Sequence, residues 1–167
     1  NVTCLNAHGI TIGSEVSGGV EDVHVSNTQI LNSPFDGEAP VKIKSNCGRG
    51  AYVKNVLFEN MYARGVGNAV WIDEQYGGKG LTCNASGTTR IENVRIRNMH
   101  VDGADTAYTI VGLAVPGSQS YVQLAMENVT VTNFRTLGVC QNAAVNMTFV
   151  KPLVPPCKHS YPINTLI

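Results

Sequence analysis

The chain has 167 residues, 43% of them apolar and only 14% charged, with twelve basic and twelve acidic side chains that cancel. That length suits one domain with a real core, and the absence of any run of 18 apolar residues excludes a membrane-spanning helix. The neutral balance argues neither for nor against nucleic acid, and none is expected as a partner. In chain order, residues 1–33 read as a first coil and a half, with Gly9–Gly13 a strand between glycine turns. Residues 34–52 are a loop, a strand at Val41–Ile43 and a Cys-Gly-Arg-Gly turn. Residues 53–78 hold two strand phrases and the segment Ala69–Tyr76. Gly77–Thr89 is polar, glycine-rich and without periodicity, and residues 91–135 carry two more coils with the strand Tyr108–Val115 between them. The tail 151–167 contains four prolines, pairs poorly as a strand, and is expected to cap or trail a single domain whose coils occupy 1–150.

An internal repeat decides the fold. Val20–Asn27, Val53–Asn60, Ile91–Asn98 and Tyr121–Asn128 are alternating apolar/polar octamers that end in Asn, and Asn1 heads a shortened copy. The asparagines are 26, 33, 38 and 30 residues apart, the scale of a solenoid, and alternation makes the unit a strand. Coils stacked about 4.8 Å apart would align the five amides in one column. The expected fold is all-β, a right-handed parallel β-helix, with the ladder residue Asn128 buried.

Five cysteines and four Asn-x-Ser/Thr sequons, at Asn1, Asn84, Asn128 and Asn146, point to an oxidising, secreted setting. Cys140 and Cys157 read as a terminal staple, and Cys47 and Cys83 as a clamp between successive loops, which leaves Cys4 over. Asn84, in a loop, is the foremost glycan candidate. Between positions 41 and 64, Lys42, Lys44, Arg49, Lys54 and Arg64 meet a single acid, Glu59. Lys42 and Lys44 lie two apart on a strand, so both point the same way, which suits an anionic ligand.

Three stretches together resemble family-28 glycoside hydrolases, the polygalacturonases and related pectinases. Ala7-His8-Gly9-Ile10-Thr11-Ile12-Gly13-Ser14 is similar to that family's Gly-His-Gly-Ile-Ser-Ile-Gly-Ser phrase. Val41–Ser45 resembles its Arg-Ile-Lys-Thr segment one coil later, and Trp71–Tyr76 its Ile-x-Asp-Gln-x-Tyr strand. The resemblance implies inverting hydrolysis of α-linked galacturonan. One carboxylic acid protonates the leaving oxygen and a second carboxylate, roughly 6.5–9.5 Å away, activates water. It also implies roles. His8 supports the protonation state of the acid, Lys44 pairs with a substrate carboxylate, and Lys42 replaces an arginine, exchanging a bidentate fork for a point charge. Tyr108 stands where the family keeps a substrate-contacting tyrosine, with packing in the strand an equal alternative. Arg49 and Glu15 are weaker candidates for the cleft, while Trp71 and Tyr76 are expected to pack the coil.

The family's Asn-x-Asp and Asp-Asp motifs do not occur in this sequence. The chain therefore reads as the carboxyl-terminal half of such an enzyme, inactive alone, with the partner of Cys4 upstream. Of the aspartates only Asp36 merits watching, and a turn-forming role is favoured for it. The expected partner is a pectic polysaccharide bound by a monomer, with no metal and no cofactor. The competing functions are a non-catalytic β-helical carbohydrate-binding or adhesion protein, and a polysaccharide lyase, which would need a cluster of acidic calcium ligands that the sequence lacks.

Overall fold

The computed structural model describes residues 1–35, 38–77, 83–115 and 122–159. Its strands are β1 (Val2–Leu5), β2 (Ile10–Gly13), β3 (Val20–Ser33), β4 (Val41–Lys44), β5 (Tyr52–Asp73), β6 (Arg90–Val111), β7 (Val122–Gln141) and β8 (Ala143–Lys151). Every strand pairing is parallel, in the order β1-β3-β5-β6-β7-β8, with β2 on β4 and β4 on β5. Each residue pairs with its equivalent one coil later, Ile43 with Ile72 and Ile72 with Ile110, for example. This is the expected parallel β-helix.

A strand of 22 residues cannot wind around a core unless it bends, and the bends are single residues in the left-handed region. In β3 they are Asp22, Asn27 and Asn32; in β5, Asn55, Asn60 and Gly65; in β6, Asn93, Asn98 and Gly103. Asn and Gly occupy them because they tolerate positive φ at the least steric cost. Each bend adds one residue without crossing the sheet, so inward positions step by two and then three. Val53, Val56, Phe58, Met61, Ala63 and Val66 are all buried on this pattern, and Ile91, Val94, Ile96, Met99, Val101 and Ala104 repeat it one coil later. Stacked in register, these columns form the core.

The asparagine column is present but lies outside the core. Asn128 donates to Asn98 at 3.0 Å and Asn98 to Asn60 at 3.2 Å, whereas the Asn27 amide turns to Ser26 Oγ. All four are exposed, which corrects the expectation that Asn128 is buried. The column serves as an outer corner: its φ values of 52–54° are what select Asn. A second column, Asp22–Asn55–Asn93, runs beside it with amide bonds of 3.0 and 2.8 Å.

Cys47–Cys83 and Cys140–Cys157 are disulfide-bonded and Cys4 is free, as the spacing suggested. The second bridge holds the tail on the last coil, where Lys158 N–H donates to Cys140 O and Asn142 N–H to Lys158 O. The remainder of the proline-containing tail, 160–167, lies outside the described residues.

Candidate functional site

Alternation along β4 sends Val41 and Ile43 into the core and Lys42 and Lys44 to the other face. Register extends that face across the coils: Thr11, Lys42, Trp71, Thr109 and Val139 make one row, and Gly13, Lys44, Asp73, Val111 and Gln141 the next. The two lysines are not equivalent. Lys42 is buried, with its ammonium 4.4 Å from the centre of the Trp71 ring and 3.9 Å from Glu38 Oε2. Lys44 is half-buried and sits 4.4 Å from the Tyr76 ring centre. Trp71 and Tyr76 meet edge to face at 5.8 Å, so the two cation–π contacts share one aromatic platform.

Tyr76 is held there by the preceding coil. Its N–H donates to Ser45 O at 3.0 Å, and the Asn46 side chain donates to Tyr76 O at 3.1 Å. Asp73, beside Lys44, is half-buried; burial raises its carboxyl above the usual range, partly offset by the Gln75 N–H that it accepts. Sequence reasoning gave neither residue a role on this face. The signal available was register, since Trp71 and Asp73 fall opposite Lys42 and Lys44.

His8 precedes β2, and Gly9 turns the chain at φ +78°. A Cβ on Gly9 would stand 1.8 Å from Ala39 O, so only glycine fits. Ala7, where the family phrase carries glycine, has no need of positive φ; its N–H donates to Ser33 Oγ. The His8 ring is 82% exposed and its Nδ1 meets Glu38 Oε1. Glu38 is buried and thus lies between His8 and Lys42, a link that the sequence did not reveal.

The remaining candidates lie elsewhere. Arg49, in the Cys47 turn, is engaged by Glu15 through two N–H···O contacts of 2.6 and 2.5 Å. Tyr108 belongs to the inward row with Val41 and Val70, is fully buried, and donates to Pro152 O at 2.8 Å. Of its two expected roles the structure realises packing, because an odd step along β6 turns its side chain away from the lysine face. Asp36 lies outside the described residues. Asn84 is exposed in a turn, where its Oδ1 accepts from Gly87 N–H, while Asn128 uses its amide on Asn98.

A hollow of about 660 Å³ lies on a different face, over Arg95, Arg97, Ala125, Glu127 and Asn146. Its guanidinium groups are spent internally, Arg97 on Glu59 and Arg95 on Asn93, and it contains none of the candidate residues. Among the described residues no group of three His, Cys, Asp or Glu is placed to hold a metal ion.

Comparison with known proteins agrees with the β-helical fold. The sequence model of the family described as Glycosyl hydrolases family 28 matches residues 1–149. The chain is 29% identical over 149 residues to an exopolygalacturonase of Rhizopus delemar, covering 85% of this chain and 38% of that protein. It is 27% identical over 133 residues to a probable polygalacturonase of Vitis vinifera, covering 78% and 26%. With endopolygalacturonase D of Aspergillus niger it shares 32% over 112 residues, covering 63% and 22%. The chain thus spans between a fifth and two-fifths of the length of these relatives. No solved structure matches it significantly.

Proposed function

Since the chain belongs to glycosyl hydrolase family 28, we propose that it forms the uronate-binding wall of a secreted, pectin-degrading hydrolase. The observation that carries this reading is the half-exposed Lys44 ammonium seated on the Trp71–Tyr76 platform. A galacturonate offers complementary groups, a carboxylate for the cation and a C–H face for a ring. Lys44 is the principal contact, and Lys42 orders Trp71 beneath it. Asp73 supplies a carboxyl that burial keeps easier to protonate than an exposed one. His8 presents an imidazole at the edge of the same face.

Hydrolysis with inversion requires an acid and a base that flank the glycosidic oxygen. The Asn-x-Asp and Asp-Asp phrases that supply them in the family do not occur among these 167 residues. On this reading the chain by itself is a binding surface. Two disulfides and four sequons favour an extracellular setting.

Calorimetric titration with trigalacturonate tests the site. Lys44→Ala should weaken binding by about 1.5–3 kcal/mol, the scale of a charge-assisted hydrogen bond, and should make the residual affinity less sensitive to salt. Equal affinities for wild type and variant would remove the pectin reading of this face. Reducing-end release from polygalacturonate by the purified 167-residue chain would overturn its assignment as a binding surface only.

A further inference from the structure

Glu38 is a buried carboxyl at the mouth of a loop, and both of its oxygens face residues that the functional reading uses. Oε1 meets His8 Nδ1, and Oε2, which makes no hydrogen bond, has the Lys42 ammonium at 3.9 Å. The two elements are locked together at this point. Ala39 O closes against Gly9, leaving no room for a Cβ; β2 pairs with β4 from Ile10 and Val41 onward; and Glu38 N–H donates to Phe35 O at 3.0 Å. Residues 38 and 39 therefore fix residues 8 and 9, side chain and backbone respectively. The His8 ring, otherwise largely solvated, has one orientation imposed on it by a buried acceptor.

An acceptor at Nδ1 selects a tautomer. The Glu38 carboxylate can only accept, so beside it the neutral ring carries its proton on Nδ1 and leaves the lone pair on Nε2. Because the ring is 82% exposed, that lone pair is offered to solvent. What it can take there is an O–H donor, a sugar hydroxyl or a water. A ring with its proton on Nε2 would instead turn a donor outward, and the same hydroxyl or water would have to accept from it. We propose that Glu38 is a positioning residue that holds His8 in the Nδ1–H form so that Nε2 serves as a hydrogen-bond acceptor for a hydroxylated ligand. The inference deepens the functional reading above and rests on it only for the identity of the ligand.

The tautomer is measured directly, without ligand, by long-range proton–nitrogen correlation spectra of the 15N-labelled protein at a pH where the ring is neutral. His8→Gln identifies the His8 signals among the four histidines. Wild type should show a protonated Nδ1 and a lone pair on Nε2. Glu38→Gln should keep that pattern, since the amide oxygen still accepts, whereas Glu38→Ala should shift His8 to the mixture of an unconstrained imidazole. A loss of packing alone would not sort the two variants in this way. A proton on Nε2 in wild type, or an unchanged pattern in Glu38→Ala, overturns the proposal, and the wild-type spectrum decides it even if Glu38→Ala does not fold. A correct tautomer together with no trigalacturonate binding would overturn the pectin reading and leave this assignment standing.

Discussion

Glu74 should make the protein less stable as pH rises from acid to neutral. It follows Asp73 at the end of β5, is fully buried, and accepts the Leu113 N–H through Oε2 at 2.9 Å, while Oε1 has no partner. Burial is the chief cause that pushes its carboxyl from the ordinary 4.5 up to about 8; the Leu113 N–H works against the shift and the Asp73 charge adds to it. The sign follows from linkage. Below pH 4.5 both folded and unfolded chains hold the proton and the group contributes nothing. Above it the unfolded chain releases the proton while the folded chain keeps it, so stability falls by about 1.4 kcal/mol per pH unit until the folded group titrates near 8. At pH 7 the loss is about 2–4 kcal/mol, a large part of the net stability of an ordinary domain. Glu74→Gln copies the protonated form and retains an acceptor for Leu113, so it removes this dependence. Urea unfolding of both proteins at pH 4.5, 5.5, 7 and 8 isolates the effect, because the other carboxyl groups are common to both and largely cancel. The variant should match wild type at pH 4.5 and exceed it by about 2–4 kcal/mol at pH 7. A difference that stays constant with pH, or a variant that is weaker at pH 7, refutes the argument.

Two further outcomes follow from the left-handed corners. Asn98→Ala should lower stability by about 1–2 kcal/mol, combining a strained φ with the loss of amide bonds to Asn60 and Asn128, and Asn98→Gly should lower it less, because glycine is at ease there; identical thermal midpoints for wild type and both variants would refute the corner role. Phe149 falls in the same column by register, with Thr148 opposite Glu127 and Val150 opposite Val129, yet it holds φ +53° with 82% of its surface exposed. Phe149→Asn should raise the melting midpoint by an amount equivalent to about 1 kcal/mol, and a lower midpoint would show that the ring is held by contacts of its own.

The fold was legible because each coil repeats the same chemical requirement. A corner at positive φ wants Asn or Gly, and in register such corners recur as a phrase. The phrase was misread in one respect. Val53-Lys-Asn-Val-Leu-Phe-Glu-Asn60 looks like simple alternation, but its buried positions are 53, 56 and 58, because Asn55 is itself a corner. That two-three rhythm explains why the column is exposed and why a second column, through Asp22 and Asn93, runs beside it. The disulfides were readable from spacing, since each joins loops or ends that the repeat already brings together. Glu38 was not legible: its neighbours in space, His8 and Lys42, come from different coils, and nothing periodic marks a loop residue. Tyr108, read as either a substrate contact or a packing residue, stayed undecided in the sequence for a related reason. A family position can be matched by sequence while the parity of the strand, which sets the side that a residue faces, is fixed only by the register of Tyr108 with Val70 and Gly138.

Parity also sets the limit of the lysine argument. Two residues apart on β4, Lys42 and Lys44 must share a face, and alternation alone does not tell them apart. Their surroundings on the adjoining coils separate them. Lys42 has Thr11 on one side, Trp71 on the other and Glu38 against its ammonium, so its stem and charge are enclosed. Lys44 has Gly13 on one side, where a Cβ would stand 1.9 Å from Lys44 O, and Asp73 on the other. The bare glycine there lets the backbones of β2 and β4 close on each other. An arginine at position 42 would present its fork to Glu38 and Trp71 before it reached any ligand, so the exchange of arginine for lysine there bears on how the platform is built. On the function proposed above, the grip on an anionic sugar would then fall to Lys44, the less enclosed of the two.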